Sequence, residues 1–224
     1  MEHEILHRPS YALLKVNLSA GESVIAESGA MVSMSDTIEM KTSSKGGVFG
    51  AIKRKLLTSE SFFMNTFTAR QAGQITFAPP LPGDIDSFEL NNNIIYVQSG
   101  SFLASFGDIE MDTKFGGAKT FFSREGLFLV KLSGSGTVFI SSYGAIEGKE
   151  LAAGEKYIVD TGHMVAFTSG ISYSVRFAGG VKSTLLGGEG LVCELTGPGK
   201  IFIQTRSIDS FLSWLLPKIP QKRD

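Results

Sequence analysis

The sequence predicts an all-β protein built from three tandem β-sandwich repeats. Three observations support this fold: a repeated segment, apolar residues that alternate with a period of two, and turn-forming residues between the apolar runs. The repeated segment reads ESGAMVSMSDTIEMKT at residues 27–42 and QSGSFLASFGDIEMDT at residues 98–113. A more divergent copy, DTGHMVAFTSGISYSV, occupies residues 160–175.

The three copies stay in register beyond these segments. In each copy a glycine lies nine residues before an isoleucine, and a Gly-Gly pair follows seven or eight residues later. A unit of roughly 60–70 residues buries too little surface to be stable alone, so we expect the units to pack on one another with pseudo-threefold symmetry. The aligned pairs are Gly29 and Ile38, Gly100 and Ile109, and Gly162 and Ile171.

The repeats define the expected domain organisation. The chain is interpreted as one compact domain with repeats at 11–80, 81–144 and 145–206. A C-terminal helix at 207–218 and a tail at 219–224 complete it.

Short segments rich in Gly, Pro and Asn are expected to form turns between the strands. They are PPLPGD at 79–84, NNN at 91–93, SGSG at 133–136 and GPG at 197–199. Runs such as TVFISS at 137–142 carry apolar residues on both faces, which indicates strands buried on both sides.

Two segments show the apolar spacing of a helix. VFGAIKRKLL at 48–57 has this spacing, although Gly50 weakens a helix. SIDSFLSWLLPK at 207–218 has it too, with Ser207 as the N-cap and a proline that ends the helix. We expect the apolar arc of this second helix, which includes Trp214, to dock on the sandwich; another subunit or a membrane surface is the alternative partner.

Composition narrows the function classes. The 224 residues carry a formal net charge of −1, which gives no basic excess for binding nucleic acid. Cys193 is the single cysteine, so no internal disulfide forms, and we expect it to be a buried strand residue. The N-terminus lacks the apolar region of a secretory signal, and no apolar run is long enough to span a membrane. We therefore expect a cytoplasmic protein and leave peripheral membrane attachment open.

The sequence shows no cluster typical of catalysis or metal binding. His163 is the one histidine inside a repeat, and there is no G-x-S-x-G segment to present a nucleophilic serine. A single core histidine cannot form the histidine cluster of metal-binding β-sandwiches, and the glycine-rich segments lack phosphate-loop spacing. We expect no catalytic residue, no metal and no cofactor, and we favour a protein that is not an enzyme.

One difference between the copies identifies a candidate partner surface. The segment between the Gly-Gly pair and the next strand spans fourteen residues in the first copy, but nine and ten in the others. The longer segment supplies Lys53, Arg54 and Lys55, with Lys45 nearby, and we call these four residues the basic insertion. A protein partner or a lipid surface would suit it; the alternative is a solvated helix that covers the sandwich edge. Nucleic acid is not expected, because no aromatic residues are interleaved with the basic ones.

Two functions follow from these observations. The first is a non-enzymatic interaction or scaffold protein, membrane-associated through the basic insertion. The second is a small-ligand binding protein with a pocket where the repeats meet, contacted by Glu60 and Asn65. Homo-oligomerisation is left open in both.

Several segments resemble the altered-inheritance-of-mitochondria protein twenty-four family. They are SGAMVSMSDTIEMKT, GGVFGAIKRKLLTSESFFMNTFTA and FAPPLPGDI, and the resemblance covers roughly residues 5–217. Ser59 stands where the family often has glycine. The most specific run is Gly46, Gly47, Lys53, Arg54, Glu60, Ser61, Phe63 and Asn65.

The resemblance implies three β-sandwich units of the double-stranded β-helix type, each similar to the subunit of the tryptophan RNA-binding attenuation protein. It does not imply RNA or tryptophan binding, because a fold does not determine a function. The mitochondrial members are tied to inner-membrane organisation, but this chain lacks an Arg-rich import leader and is identified as a prokaryotic member. Prokaryotic members are largely uncharacterised, and the family supplies no catalytic residues.

Overall fold

The computed structural model describes residues 1–44, 63–112, 128–178 and 190–220, and most of these residues lie in β-strands. The strands are β1 (Glu2–Leu6), β2 (Leu13–Leu18), β3 (Ser23–Glu27), β4 (Met31–Met34), β5 (Ile38–Ser44), β6 (Phe63–Ala69), β7 (Gly73–Phe77), β8 (Ile85–Gln98), β9 (Phe102–Asp112), β10 (Leu129–Ser141), β11 (Ile146–Leu151), β12 (Lys156–Asp160), β13 (Met164–Thr168), β14 (Ser172–Phe177), β15 (Leu191–Thr196) and β16 (Gly199–Gln204).

The strands form three antiparallel sheets. The four-stranded sheet has the order β1-β2-β7-β4, and the three-stranded sheet has the order β12-β15-β14. The nine-stranded sheet has the order β11-β16-β13-β8-β10-β9-β3-β6-β5. Within residues 1–44, 63–112, 128–178 and 190–220 the sheets are open and do not close into a barrel, and these residues are mostly β with one short C-terminal α-helix.

The same order of strand pairing occurs three times along the chain. In the first stretch, residues 13–77, β2-β7-β4 and β3-β6-β5 are neighbours, and in the third, residues 146–204, β11-β16-β13 and β12-β15-β14 are. In the second stretch, residues 85–141, three long strands pair as β8-β10-β9. Each of these long strands takes the place of two shorter strands in the other stretches, one from each three-strand group. This recurrence fits the repeats expected from the sequence, whereas their symmetry and boundaries stay predictions.

Neighbouring stretches join edge to edge. The second strand of the first stretch, β3, pairs with β9 of the second, and β8 of the second pairs with β13 of the third. A third junction of this kind, between β12 of the third stretch and β4 of the first, would close the three stretches into a ring. Among the described residues, β12 and β4 lie at sheet edges and do not pair with each other. The nine-stranded sheet therefore crosses all three stretches but remains open.

Two of the expected turns are wrong. Residues 91–93 lie inside β8 and residues 133–136 inside β10. The two strands stay paired there through a local bulge, in which Asn91 faces Ser135, Asn93 faces Gly134 and Asn92 has a φ of +59°. Turn-forming residues here bend a continuous hairpin instead of ending it.

The two other expected turns lie outside strands. Residues 79–84 connect β7 to β8, and residues 197–198 connect β15 to β16, so that β16 already begins at Gly199. Both segments join strands within the described part of the chain, as their proline and glycine content predicts.

The core consists of three clusters of buried apolar side chains, largely one for each stretch. In β2 the buried residues Leu14, Val16 and Leu18 alternate with half-buried ones, as in a strand with one face in the core. In β10 the consecutive residues Val138, Phe139 and Ile140 are all buried, which confirms that this strand is covered on both sides.

The C-terminal helix α1 spans Ile208–Leu215, and a short 3-10 segment, Leu216–Lys218, follows it. Ser207 is the N-cap, as predicted, because its hydroxyl accepts a hydrogen bond from the backbone NH of Ser210 at 3.4 Å. The other predicted helix, at 48–57, lies outside the described residues.

Candidate functional site

Most of the predicted site residues lie outside the described part of the chain. This holds for the basic insertion (Lys45, Lys53, Arg54 and Lys55) and for Glu60. Their assignment as a partner surface and a ligand contact stays a prediction.

Asn65 is the predicted site residue that lies inside the described part of the chain. It lies on β6 between Ala26 of β3 and Thr42 of β5, and it shares a face with the buried Phe67. The side chain is 8% exposed, and its Oδ1 atom has no hydrogen-bond partner. The amide oxygen of Asn65 is therefore buried and unsatisfied, and Asn65 does not line the cavity described below.

The C-terminal segment exposes an extended apolar surface. The expectation that the apolar arc of α1 docks on the sandwich is wrong, because these side chains remain 36–60% exposed. The main ring contact with the body is between Phe211 and Tyr143, whose ring centroids are 6.2 Å apart. We call this set the C-terminal apolar surface: Ile208, Phe211, Leu212, Trp214, Leu216 and Ile219.

A basic residue borders this surface. The Nζ atom of Lys218 lies 5.1 Å from the centroid of the Trp214 ring, within the range of a cation–π contact. The sequence continues after Pro220 with Lys222 and Arg223. The apolar surface is thus followed directly by positive charge.

A second candidate site lies where the three stretches meet. Each repeated segment begins with a carboxylate or amide residue, then serine or threonine, then glycine. In the second copy the Gln98 side chain accepts a hydrogen bond from the NH of Gly100 at 2.8 Å, and in the third Asp160 accepts one from Gly162 at 2.8 Å. These caps shape two equivalent 3-10 turns that face the junction.

Gln204, at the end of β16, fixes the third turn to its neighbours. Its side chain donates to the carbonyl of Gly162 at 2.9 Å and accepts from the NH of Tyr143 at 2.9 Å. Its own carbonyl lies 2.7 Å from Nδ1 of His163. His163 is therefore a structural turn residue, and Gln204 connects the second and third stretches.

A cavity of about 460 Å³ opens at this junction. Each stretch contributes residues from the start of its repeated segment and from the end of its last strand or the segment that follows it, and α1 adds its first turn. The volume falls within the range of small-molecule pockets, roughly 300–1,000 Å³. Residues along its wall include Glu27, Pro79, Pro80, Leu81, Ser99, Gly100, Ser101, Ser141, Ser142, Tyr143, Thr161, Ile208 and Asp209.

Hydroxyl side chains line part of the wall. Ser101 and Ser141 are each 3% exposed. Ser142 donates to the carbonyl of Gly144 at 2.6 Å and Thr161 to that of Leu191 at 3.1 Å. The wall of the cavity is thus partly polar.

The described residues contain no group of three or more His, Cys, Asp or Glu residues placed to hold a metal ion. Cys193 lies fully buried on β15, as predicted, and burial raises the pKa of its thiol to about 12. A thiol held in the neutral form is a poor nucleophile.

Sequence reasoning expected a pocket at the repeat junction but did not identify the residues that line it. The available signal for part of the lining was a recurring position, because the first residues of the repeated segments line the cavity. These residues are Glu27, Gln98, Ser99 and Thr161. Pro79, Ser141 and Asp209 carry no such signal, because they reach the cavity only through the arrangement of the strands.

Comparisons with known proteins agree with this fold. A sequence model of the family described as mitochondrial biogenesis AIM24 matches residues 3–206. An uncharacterised protein of Streptococcus pyogenes serotype M6 is 29% identical over 218 residues, which covers 94% of this chain and 88% of the relative.

A solved structure is similar as well. The crystal structure of a Streptococcus pyogenes protein, determined by structural genomics, superposes with a TM-score of 0.80 at 27% identity. The match covers 97% of this chain and 99% of the other. Both relatives are bacterial, and the relative from serotype M6 is described as uncharacterised.

Proposed function

The chain belongs to the mitochondrial biogenesis AIM24 family, and we propose that it is a non-enzymatic interaction protein that binds an anionic membrane surface through its C-terminal segment. The observation that carries this proposal is the C-terminal apolar surface, whose side chains stay 36–60% exposed on a short amphipathic helix. None of the helices in the described ranges is long and apolar enough to cross a membrane. The attachment proposed here is therefore peripheral.

The chemistry of the segment favours a lipid surface. Helices that lie in the membrane interface present Trp, Phe and Leu on one side and carry Lys or Arg nearby. Phe211, Leu212 and Trp214 supply the apolar side, and Asp209, Ser210 and Ser213 occupy the opposite side of the helix. Lys218 and the following Lys222 and Arg223 add positive charge, which suits anionic headgroups.

The exposed aromatic area sets the expected size of the effect. Phe211 and Trp214 are 36% and 59% exposed. A side chain of this kind has about 200 Å² of surface, so the pair presents about 190 Å² to solvent. Transfer of half of this area to lipid at about 25 cal/mol per Å² contributes about 2 kcal/mol, or roughly thirtyfold in the partition coefficient.

Vesicle co-sedimentation tests the proposal. We expect the wild-type protein to sediment with phosphatidylglycerol vesicles, and less with phosphatidylcholine or in high salt. The double variant Phe211→Ser/Trp214→Ser should lose about thirtyfold in partitioning. Tyr11→Ser, which removes an aromatic side chain that is 74% exposed elsewhere, is the matched control and should bind as wild type. Lys53→Glu/Arg54→Glu measures the separate contribution of the basic insertion.

Two results would contradict the membrane proposal. One is the absence of sedimentation with phosphatidylglycerol vesicles. The other is sedimentation that the Phe211→Ser/Trp214→Ser variant leaves unchanged. A dimer that light scattering detects and that depends on Trp214 would instead assign the surface to a second copy of this chain.

The internal organisation is part of the proposal. We propose that the three stretches are tandem copies related by pseudo-threefold symmetry, supported by the recurring order of strand pairing. Superposition of Gly29, Gly100 and Gly162 by successive rotations of about 120° in a crystal structure would test it.

A second candidate function, binding of a small ligand, is supported by a different observation. The cavity at the junction has a volume suited to a small molecule and a partly polar wall. The two functions use different surfaces, although the first turn of α1 contributes to both.

A further inference from the structure

We infer that the edge strands β4 and β12 bind a second copy of this chain, with β12 of one molecule pairing antiparallel to β4 of the next. This inference goes beyond the proposed function, because membrane attachment uses the C-terminal segment and neither of these strands. It rests on the exposure of the two edges, on two junctions inside the chain that pair the same positions, and on the apolar side chains that both edges present.

Strand β4 is exposed where its counterparts are buried. It begins two residues after Gly29, as β9 begins two residues after Gly100 and β13 two residues after Gly162. The first four residues of β9 and of β13 are at most 2% exposed. In β4, by contrast, Val32 is 57% and Met34 is 39% exposed. Within the described part of the chain, β4 therefore lacks the cover that its counterparts have.

Two junctions inside the chain show which kind of edge fits β4. Ala26 of β3 pairs with Ala104 of β9, and Val97 of β8 pairs with Ala166 of β13. In both pairs the first residue lies three positions before the glycine of its own repeated segment, and the second lies four positions after its glycine. The strand before the glycine of one stretch therefore pairs with the strand after the glycine of the next.

The same offsets fix the register of the unpaired edges. They place Val159 of β12 opposite Ser33 of β4, and Ile158 opposite Met34. Among the described strands β12 pairs only with β15 and β4 only with β7, so each has one edge of unpaired backbone groups. A second copy of the chain carries both strands, and each edge finds there the partner that the internal junctions select.

Both edges present apolar side chains to solvent. On β12, Ile158 is 54% and Tyr157 is 36% exposed, and Val32 and Met34 are the exposed apolar residues of β4. Native proteins usually protect an exposed edge with charge or proline, because such an edge is a template for association. The charged residues of β12 stand at its two ends, and β4 carries none. The two edges are therefore suited to burial against another chain.

Each molecule offers one β4 and one β12, so the molecules pair head to tail. An interface of this kind closes into a ring or continues as a filament. The strands have four and five residues, and such a contact is smaller than a standard interface of roughly 20–30 residues a side. We therefore expect association that depends on protein concentration.

Disulfide cross-linking between separate preparations tests the pairing on the full chain. Met34→Cys and Ile158→Cys are introduced into different preparations, and Cys193, which is fully buried, stays in place. Opposed residues of an antiparallel pair lie about 4.5–5.5 Å apart, within the reach of a disulfide. After the preparations are mixed and oxidised, we expect a linked dimer on a non-reducing gel, in which mass spectrometry finds a bond between the two introduced thiols.

Two further preparations serve as controls for the cross-link. Met34→Cys mixed with Glu147→Cys, an exposed position on the edge strand β11, should give no linked dimer. A single chain that carries both Met34→Cys and Ile158→Cys shows whether the bond forms between molecules or within one.

Charge variants test the register in solution. In Met34→Glu/Ile158→Glu two like charges would lie opposite each other, and we expect the association constant from analytical ultracentrifugation to fall about tenfold. Met34→Lys/Ile158→Glu places opposite charges at the same positions and should associate more strongly than the first variant. Both residues are exposed in the single molecule, so circular dichroism should show an unchanged fold. Phe211→Ser/Trp214→Ser should associate as wild type.

Each outcome decides the inference. A protein that stays monomeric at the highest concentration reached, cross-linking no stronger than that of the Glu147→Cys control, or association that Met34→Glu/Ile158→Glu leaves unchanged would overturn it. A disulfide that forms only within one molecule would overturn it as well, because β4 and β12 would then close the ring inside the monomer. Association that depends on Trp214 and not on Met34 would assign self-association to the C-terminal apolar surface instead. All these measurements are made without lipid, so they are independent of vesicle binding.

Discussion

Replacement of Asn65 by leucine should stabilise the protein. Asn65 is 92% buried between Ala26 and Thr42, and its Oδ1 atom has no hydrogen-bond partner. A buried polar group without a partner costs about 1–3 kcal/mol, whereas an apolar group of the same shape carries no such penalty. Leucine has the branching of asparagine and suits the apolar face that Phe67 shares.

The expected gain is about 1 kcal/mol, at the lower end of that range because leucine must still be accommodated. For a chain of this length, 1 kcal/mol raises the melting temperature by about 2–4 °C. Urea unfolding followed by circular dichroism should show a higher midpoint with an unchanged slope.

Two companion variants sharpen the test. Asn65→Asp places a charge in the same buried site and should lower stability well below wild type. Asn65→Ala removes the amide but leaves a cavity, so it should fall between the other two. A loss of 1 kcal/mol or more in Asn65→Leu, about the value of a hydrogen bond, would refute the reasoning. Such a loss would mean that the amide has a partner, and it would support Asn65 as a ligand contact.

Three further predictions concern the ion pair, the helix cap and the thiol. Arg8→Ala should destabilise the protein by about 2 kcal/mol, because it leaves the carboxylate of Asp84, which is 2% exposed, without the two hydrogen bonds of 2.8 and 3.0 Å that Arg8 donates. Partial solvation of the arginine keeps this value moderate. Gly162→Ala should weaken the cap of α1 by about 1 kcal/mol, because its Cβ would lie 2.7 Å from the Ser207 hydroxyl; fluorescence of the single tryptophan reports this change. Cys193 should react with a thiol reagent only when the protein unfolds, because burial raises its pKa to about 12. The unfolded thiol ionises near pH 9, so stability should fall as pH rises from about 9 towards 12.

Each of these predictions has a control. Arg8→Lys keeps the charge but loses the geometry of two parallel hydrogen bonds, so it should lower the free energy of unfolding by about 1 kcal/mol. If both arginine variants were as stable as wild type, the ion-pair argument would be contradicted. Gly100→Ala meets only Oε1 of Gln98 at 3.3 Å and should leave the fluorescence unchanged; a shift as large as that of Gly162→Ala would argue against the clash. Rapid thiol labelling of the native protein, or an alkaline loss of stability that persists in Cys193→Ala, would refute the thiol prediction.

The C-terminal helix illustrates what sequence patterns can and cannot predict. Ser207, the apolar spacing and Pro217 are local signals, and they placed the helix and its cap correctly. The same apolar spacing also suggested docking on the sandwich, yet Trp214 stays 59% exposed. An amphipathic pattern shows that a helix has an apolar side, but not which surface covers that side.

The bulge between β8 and β10 shows a similar limit. Asparagine and glycine runs favour positive φ, and Asn92, Gly134 and Gly136 do adopt it, but the turns expected at 91–93 and 133–136 do not form. Whether they reverse the chain or bend a continuing hairpin depends on whether the partner strand stays paired. Here Asn91 and Asn93 keep their partners, and the strands continue.

The sequence by itself determined that the chain is all-β and that a capped helix follows at the C-terminus, and it predicted that one strand pattern recurs. These features depend on contacts between residues close in sequence and on the period of apolar residues. Only the tertiary structure decided that Glu27, Ser101, Ser141 and Asp209 line one cavity and that the nine-stranded sheet stays open. The physical reason is that these groups are brought together by strand pairing across stretches, and pairing between distant strands leaves no periodic signal in the sequence.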